Sequence, residues 1–167
     1  MKYWASGIRR FYLQPTVRND IYKEVELQIL KFLSFEPVCM HVDSHGHFHT
    51  NYSVWSICKE LFLKYGFKST RLSRNLLNNE NSLKKIYKIW YNSDVTKRFE
   101  YTTDYFGQFR DYKAISDKGL LQTLSREGKS IELMCHPIYN NGQLENAGSI
   151  FFTDMLNKFS DIKLTSY

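Results

Sequence analysis

The sequence is organised around one short stretch that is crowded with histidine, His41-Val42-Asp43-Ser44-His45-Gly46-His47-Phe48-His49. Four of the 5 histidines of the 167-residue chain lie within it. The four histidines and the aspartate alternate with other residues, and alternate side chains of an extended strand share one face. A row of neutral imidazoles with one carboxylate is typical of a metal or catalytic site. We therefore predict such a site, in preference to a strand whose histidines only bond to backbone or water.

A second short motif, Met134-Cys135-His136-Pro137, carries the remaining histidine. Its His136 and Pro137 fall just past residues 130–135, which have the composition of a strand. The first histidine stretch likewise begins at the carboxyl end of an apolar run at 38–43, which we expect to be a strand buried on both faces. In α/β folds, sites are built at the carboxyl ends of strands. Both motifs are therefore predicted to reach the same kind of surface.

Length and composition limit the class of protein. A chain of 167 residues is expected to form one domain, and 43% hydrophobic with 16% aromatic residues indicates a globular chain rather than a disordered one. The net charge of +6 is scattered along the sequence. We therefore expect a charged, solvated surface and no nucleic-acid partner.

The cysteines and the apolar runs bear on the cellular location. Cys39, Cys58 and Cys135 lie in apolar runs without C-x-x-C spacing, so we expect them to be reduced and buried in a cytoplasmic protein. No run approaches the roughly 18 apolar residues of a membrane-spanning helix. The first residues lack the apolar core of a signal peptide, so neither secretion nor a membrane anchor is expected.

Hydrophobic periodicity predicts alternating helices and strands. Helices are expected at about 21–34, 52–65, 82–91, 116–127 and 148–159. Strands are expected at 38–43, 67–72, 100–104, 130–135 and 162–165, with a connection at 92–99 and an aromatic loop at 105–109. The expected caps are Asn19 or Asp20, Asn51, and Ser116 or Asp117, with Gly66 and Gly128 as helix ends, and the expected inward positions include Leu30, Leu83, Ile86 and Trp90.

This alternation predicts an α/β fold in which parallel strands alternate with crossover helices, as a partial (β/α) barrel or as an open sheet. Arg71 and Arg74 lie at the carboxyl end of the strand at 67–72. Two arginines are either surface charge or a clamp on substrate oxygens, for which the guanidinium fork is suited. Tyr105, in the aromatic loop, is either a core residue or an aromatic face for a sugar.

The order and spacing of these motifs resemble the YdjC family of carbohydrate deacetylases, which includes chitooligosaccharide deacetylases. The resemblance runs over nearly the whole chain. The matching segments are Glu26-Leu27-Gln28-Ile29-Leu30-Lys31-Phe32, the histidine stretch, Arg71-Leu72-Ser73-Arg74 and Glu132-Leu133-Met134-Cys135-His136-Pro137.

The resemblance implies a (β/α) barrel-like fold, a divalent metal (magnesium or zinc) and hydrolysis of the N-acetyl group of an amino-sugar oligosaccharide. His45 corresponds to a metal ligand of the family. His136 is the candidate for protonating the leaving amine or stabilising the oxyanion, and Asp43 is the candidate orienting carboxylate. The candidates for sugar contacts are Arg71, Arg74 and Tyr105.

Two elements of the family pattern have no counterpart in this sequence. The family opens with a strand that carries an Asp-Asp pair, and a later strand carries another metal histidine. Here no Asp-Asp pair occurs and no histidine precedes His41. A single imidazole does not hold magnesium, which prefers oxygen ligands. We therefore expect 1–167 to be the C-terminal part of such a domain, weakly active or inactive alone, and to self-associate or to need a complementing N-terminal fragment.

Two other functions remain as alternatives. A degenerate, non-catalytic module that binds sugars or partners would account for the incomplete ligand set. A histidine-triad nucleotide hydrolase would account for the His-x-His-x-His spacing from His45 to His49. The triad pattern is short, however, and the alternation of strands and helices differs from that fold.

Overall fold

The computed structural model describes residues 11–77, 82–140, 142–146 and 150–151. The helices are α1 (Pro15–Leu33), α2 (Tyr52–Lys64), α3 (Ser82–Arg98), α4 (Phe109–Asp117) and α5 (Leu120–Arg126). The strands are β1 (His41–Val42), β2 (Ser69–Thr70), β3 (Tyr105–Gln108), β4 (Ile131–Met134), β5 (Pro137–Asn140), β6 (Gln143–Asn146) and β7 (Ile150–Phe151). The chain divides into two compact units, and the boundary within α3 falls between Ile89 and Trp90.

The first unit contains residues 11–73 and 90–102. Its strands β1 and β2 are parallel, with His41 opposite Ser69 and Val42 opposite Thr70. Helix α1 packs against α2. Helix α2 is a main contributor to the core, because its apolar residues recur every three or four positions and so lie on one face. Its buried apolar residues are Val54, Trp55, Ile57, Cys58, Leu61 and Phe62.

Helix α1 begins earlier than expected and is less buried. Pro15 stands at the start of the helix, where its fixed φ suits the first turn and its missing N–H costs no hydrogen bond. Asn19 and Asp20 therefore lie inside the helix, and their prediction as caps is wrong. Ile29 is buried, but Leu30 is exposed, so the expected apolar face is only partly covered.

The second unit contains residues 74–77, 82–89, 103–140, 142–146 and 150–151 among those described. Strands β3 and β4 are parallel, from Tyr105 opposite Ile131 to Gln108 opposite Met134. Helix α4 starts directly after β3 and packs against both strands. Strands β5, β6 and β7 form an antiparallel sheet.

The α/β prediction is confirmed at the level of mixed helices and short parallel strands. In the described part of the chain the strands form separate small sheets and do not close into a barrel. The strand expected at 130–135 and the helix expected at 52–65 are both present. Gly66 and Gly128 end their helices with φ of +76° and +65°, as glycine beyond a C-cap commonly does.

Several predicted boundaries are wrong. Residues 105–109 are not a loop, because 105–108 form β3 and Phe106 is buried. Residues 92–98 continue α3. Ser116 and Asp117 end α4 rather than capping a helix. Residues 150–151 are a strand instead of part of a helix, and the rest of the segments expected at 148–159 and 162–165 lies outside the described residues.

Burial also departs from the expected pattern. Leu83, Ile86 and Trp90 are exposed, whereas Tyr91 and Val95 form the buried side of α3. All three cysteines are free, but only Cys58 is buried and Cys39 is exposed. Val38 is fully exposed, so the expected two-sided burial of the first strand is wrong. Within the described residues, none of the helices is both long enough and apolar enough to cross a membrane.

Candidate functional site

The histidine stretch is a kinked turn rather than an extended strand. Strand β1 ends at Val42, and His45–Thr50 forms two short helical turns. The kink lies at Gly46 and His47, with φ of +63° and +57°. The left-handed conformation suits glycine but costs a histidine about 1–2 kcal/mol. The histidines therefore do not share one strand face, and that prediction is wrong.

A local hydrogen bond explains why the chain turns here. The Ser44 hydroxyl accepts the backbone N–H of His49 at 2.9 Å, and the Ser44 carbonyl accepts the N–H of His47 at 3.2 Å. Serine side chains that bond nearby backbone groups compete with strand ladders. Spacing alone predicts a strand, whereas this bond favours the turn.

His49 is fully buried, and its two ring nitrogens have different partners. Nε2 lies 3.3 Å from the Arg71 carbonyl, which can only accept, so the proton of the neutral ring is on Nε2. Nδ1 then accepts a hydrogen bond from the Ser44 hydroxyl at 2.6 Å. Burial lowers the pKa of His49 to about 4, against a weaker opposing effect of the Arg71 carbonyl. His49 is therefore neutral at pH 7.

An ion pair lies at the carboxyl ends of β1 and β2. Asp43 and Arg71 directly follow these strands, and the Arg71 guanidinium pairs with the Asp43 carboxylate. The two side chains are 37% and 17% exposed, so the pair is open to solvent on the carboxylate side. The structure thus brings together two of the predicted site residues in the first unit.

Side chains reinforce the short β1–β2 pair. His41 Nδ1 lies 2.7 Å from the Ser69 hydroxyl, and the Thr70 hydroxyl donates to the Val42 carbonyl at 2.8 Å. Two-residue strands offer few ladder bonds, so these contacts help to fix the register. His41 therefore has a structural role in joining the two strands.

The described residues do not fit a complete metal site. Among them, no three side chains of His, Cys, Asp or Glu are grouped to hold an ion. His49 uses both ring nitrogens, and Asp43 pairs with Arg71. His45, the predicted ligand, is exposed in the same turn. These residues alone therefore do not supply the ligand set of a metal centre.

The second unit places His136 at one strand end and Tyr105 at the other. His136 is exposed and follows β4 by two residues, at the carboxyl end of the parallel pair. Tyr105 is the first residue of β3, opposite Ile131. Tyr105 lies three positions before Gln108, a distance of about 10 Å along a strand. Within this unit, the two predicted site residues are therefore not neighbours.

Arg74 is engaged in the fold of the second unit. Its guanidinium pairs with Asp111, whose side chain is 1% exposed. Asp111 also accepts the Gln108 backbone N–H at 2.8 Å, which caps helix α4. Arg74 was predicted to be either surface charge or a clamp on substrate oxygens. The structure shows neither role, because the side chain stabilises the start of helix α4.

Sequence reasoning did not single out Ser44, Tyr91 or Gln108. Tyr91 is fully buried, and its hydroxyl donates to the Arg71 carbonyl at 3.3 Å. The Gln108-x-x-Asp111 spacing of the capping box was the available signal for Gln108. Ser44 and Tyr91 had no such signal, because their partners lie in other segments or depend on the turn.

Comparison with known proteins places these residues in a family context. The family model described as YdjC-like protein matches residues 3–158. A carbohydrate deacetylase from Clostridium beijerinckii is 28% identical over 133 residues, which cover 78% of this chain and 48% of that protein. A carbohydrate deacetylase from Geobacillus stearothermophilus is 25% identical over 133 residues, 79% of this chain and 46% of that protein. The chain thus spans about half the length of these relatives, and no solved structure matches it significantly.

Proposed function

Because the chain belongs to the YdjC-like protein family, we propose that it serves the hydrolysis of N-acetyl groups of amino-sugar oligosaccharides, such as chitooligosaccharides. The observation that carries the proposal is that two relatives named carbohydrate deacetylase match 78% and 79% of the chain. The reaction is the cleavage of an amide bond by water, with acetate and a free amine as products. It requires a proton for the departing amine and donors for the developing oxyanion.

His136 is the proposed source of the proton. Imidazole can give and take a proton near neutral pH, and His136 is exposed just beyond the carboxyl end of β4. A side chain in such a position can meet a substrate without a large rearrangement of the fold. The same group, when protonated, could also stabilise the oxyanion.

The Asp43–Arg71 pair is the proposed contact for substrate oxygens. Guanidinium presents several N–H donors in a plane, and this geometry suits contacts to a sugar hydroxyl or an acetyl oxygen beside the pair with Asp43. Asp43 orients the guanidinium by holding it at one side. Tyr105 stays a proposed sugar contact, and Arg74 a weaker one because its guanidinium already pairs with Asp111.

A divalent metal, magnesium or zinc, enters the proposal only with ligands from outside the described residues, with His45 as one imidazole ligand. A complementing N-terminal fragment or a second copy of the chain would supply the remaining groups and complete a barrel-like fold. The free cysteines favour a reducing compartment, so we propose the cytoplasm as the location.

A non-catalytic sugar-binding module is the second candidate. The observation in its favour is that no group of three potential metal ligands occurs in the part of the chain that the structure describes. A histidine-triad nucleotide hydrolase has less support, because His49 is buried with both ring nitrogens bonded. We do not propose it further.

An acetate-release assay separates deacetylase from binding module. The N-acetylglucosamine trimer is incubated with the chain alone and with the chain plus the N-terminal part of the Clostridium beijerinckii relative. We expect little acetate from the chain alone and clear release from the mixture. Binding of the trimer without acetate in either case would favour the module, and strong turnover by the chain alone would contradict the expected dependence on further residues.

A further inference from the structure

His49 connects the two residues that follow the parallel strands of the first unit. Its Nε2–H donates to the carbonyl of Arg71 itself, and its Nδ1 accepts from Ser44, the residue next to Asp43. The buried ring therefore contacts the backbone of one partner of the Asp43–Arg71 ion pair, Arg71, and the residue next to the other partner, Asp43.

The hydrogen bonds around His49 restrict the backbone of Arg71 and of Ser44, the residue next to Asp43. The Arg71 carbonyl accepts from His49 Nε2–H and from the Tyr91 hydroxyl, each at 3.3 Å, which uses both of its lone pairs. The Ser44 hydroxyl donates to His49 Nδ1 and accepts the His49 N–H. Partly exposed ion pairs usually contribute little, because ordering two mobile side chains costs entropy. The bonds around His49 instead fix the backbone positions from which the two side chains meet.

The hydroxyl–imidazole contact also resembles the nucleophile and base of a hydrolase. Two features argue against that role. Burial lowers the pKa of His49 to about 4, which makes the imidazole a weak base at neutral pH. The Ser44 oxygen already accepts a backbone N–H at 2.9 Å, so it serves the turn.

We propose that His49 is a positioning residue that fixes the Asp43–Arg71 pair, so that the Arg71 guanidinium meets substrate oxygens in one orientation. This inference rests on the proposed function, because it assigns a substrate contact to Arg71. It goes beyond that function in predicting that a buried histidine, remote from solvent, controls substrate affinity through two hydrogen bonds.

Substitutions can remove the two bonds one at a time. His49→Asn keeps an acceptor near the Nδ1 position but does not reach the Arg71 carbonyl. His49→Gln keeps a donor near the Nε2 position but loses the acceptor for Ser44. Ser44→Ala removes only the hydroxyl and leaves the buried ring in place, and Ser44→Thr restores the hydroxyl. Ile57→Val, in the fully buried core of α2, is the matched control for a loss of stability alone.

Two readouts test the proposal on the full chain. The first is the NMR signal of the Arg71 Nε–H, whose exchange with water reports how firmly the guanidinium is held. The second is the affinity for the N-acetylglucosamine trimer. We expect both His49 variants and Ser44→Ala to speed up the exchange and to weaken binding about tenfold, or 1.4 kcal/mol. Ser44→Thr and Ile57→Val should behave like the wild type.

The result that overturns the proposal is a wild-type Arg71 signal and wild-type affinity in the His49 and Ser44 variants. In that case His49 only stabilises the fold. Covalent labelling of Ser44 by an organophosphate in the wild type would also overturn it, in favour of a nucleophile. If the wild type alone does not bind the trimer, the Arg71 signal decides whether His49 holds the ion pair, while acetate release by the complemented chain decides the proposed function separately.

Discussion

The carboxyl ends of the two parallel strand pairs carry polar side chains in different ways. Beyond β1 and β2, Asp43 and Arg71 form an ion pair, and the buried, neutral His49 bonds the Arg71 carbonyl. Beyond β3 and β4, the buried Asp111 is used to start helix α4, while His136 is exposed. At the first edge, hydrogen bonds of the buried His49 fix the backbone next to the ion pair. At the second edge, a histidine is exposed to solvent. Substitutions at the two edges should therefore differ in whether they lower stability or activity.

The largest expected effect is on activity at the second edge. His136→Ala should lower acetate release by the complemented chain about 10²–10⁴-fold, the usual contribution of a general acid. Stability should change by less than about 0.5 kcal/mol, because the side chain is exposed. The measurements are acetate release and urea denaturation, with exposed Gln122→Ala as the control. Full acetate release by His136→Ala would contradict the proposed role of His136 as the general acid.

The next effect is on stability within the same unit. Asp111→Ala should lower the free energy of unfolding by about 3–4 kcal/mol, because it leaves the Arg74 charge and the Gln108 N–H without their carboxylate. Lys129→Ala, which breaks an exposed pair with Asp104 at 3.2 Å, should cost less than about 1 kcal/mol. Urea denaturation measures both. Equal losses would show that burial does not distinguish the two ion pairs.

A smaller effect should appear as a pH dependence at the first edge. The pKa of His49 is lowered from 6.5 to about 4, so below pH 6.5 the unfolded state binds a proton that the folded state does not. Stability from this group is complete above pH 6.5 and falls by about 3 kcal/mol as the pH drops to 4. His49→Gln should lack this dependence. If the free energy of unfolding changed with pH in the same way in the wild type and in His49→Gln, that result would contradict the burial of a neutral ring.

The smallest effect is expected at a polar cluster between helices of the first unit. Although burial opposes it, bonds from Arg98, Lys59 and Trp55 lower the pKa of Asp94 to about 2. Asp94→Asn should cost about 1–2 kcal/mol, measured by urea denaturation at pH 7. The wild-type Asp94 carboxylate titrates below pH 4, so its contribution to the free energy of unfolding is lost only there. It does not affect the range between pH 6.5 and 4, where the His49 effect is expected. Loss of the His49 effect in Asp94→Asn would show that the two sites are coupled.

Local signals in the sequence predicted a good part of the fold. The apolar repeat of α2 and the glycine after it identified that helix, since the stripe and the cap agree on its position. The apolar run of β4 identified the strand that leads to His136. The positions of Asp43 and Arg71 at strand ends were likewise predicted from composition and order.

Other features depend on contacts that spacing does not reveal. Alternating histidines predict a strand, but the Ser44 hydroxyl bonds the His49 N–H and the chain turns. Nothing in the pattern distinguishes His49, which is buried, from His45, which is exposed. The run at 105–109 was wrongly predicted as a loop because a strand needs a neighbour, and β3 finds it in β4 more than 20 residues later. A local side-chain bond therefore decided the histidine turn, and a distant strand partner decided β3.

Mass spectrometry of the N-acetylglucosamine trimer after incubation tests the deacetylase assignment most directly. The chain is supplied with the N-terminal part of its clostridial relative, and the reaction is compared with one that contains His136→Ala. We expect a trimer of unchanged length that has lost one acetyl group, formed by the wild type and not by the variant. A trimer that stays fully acetylated, or one that is shortened at its glycosidic bonds, would contradict it.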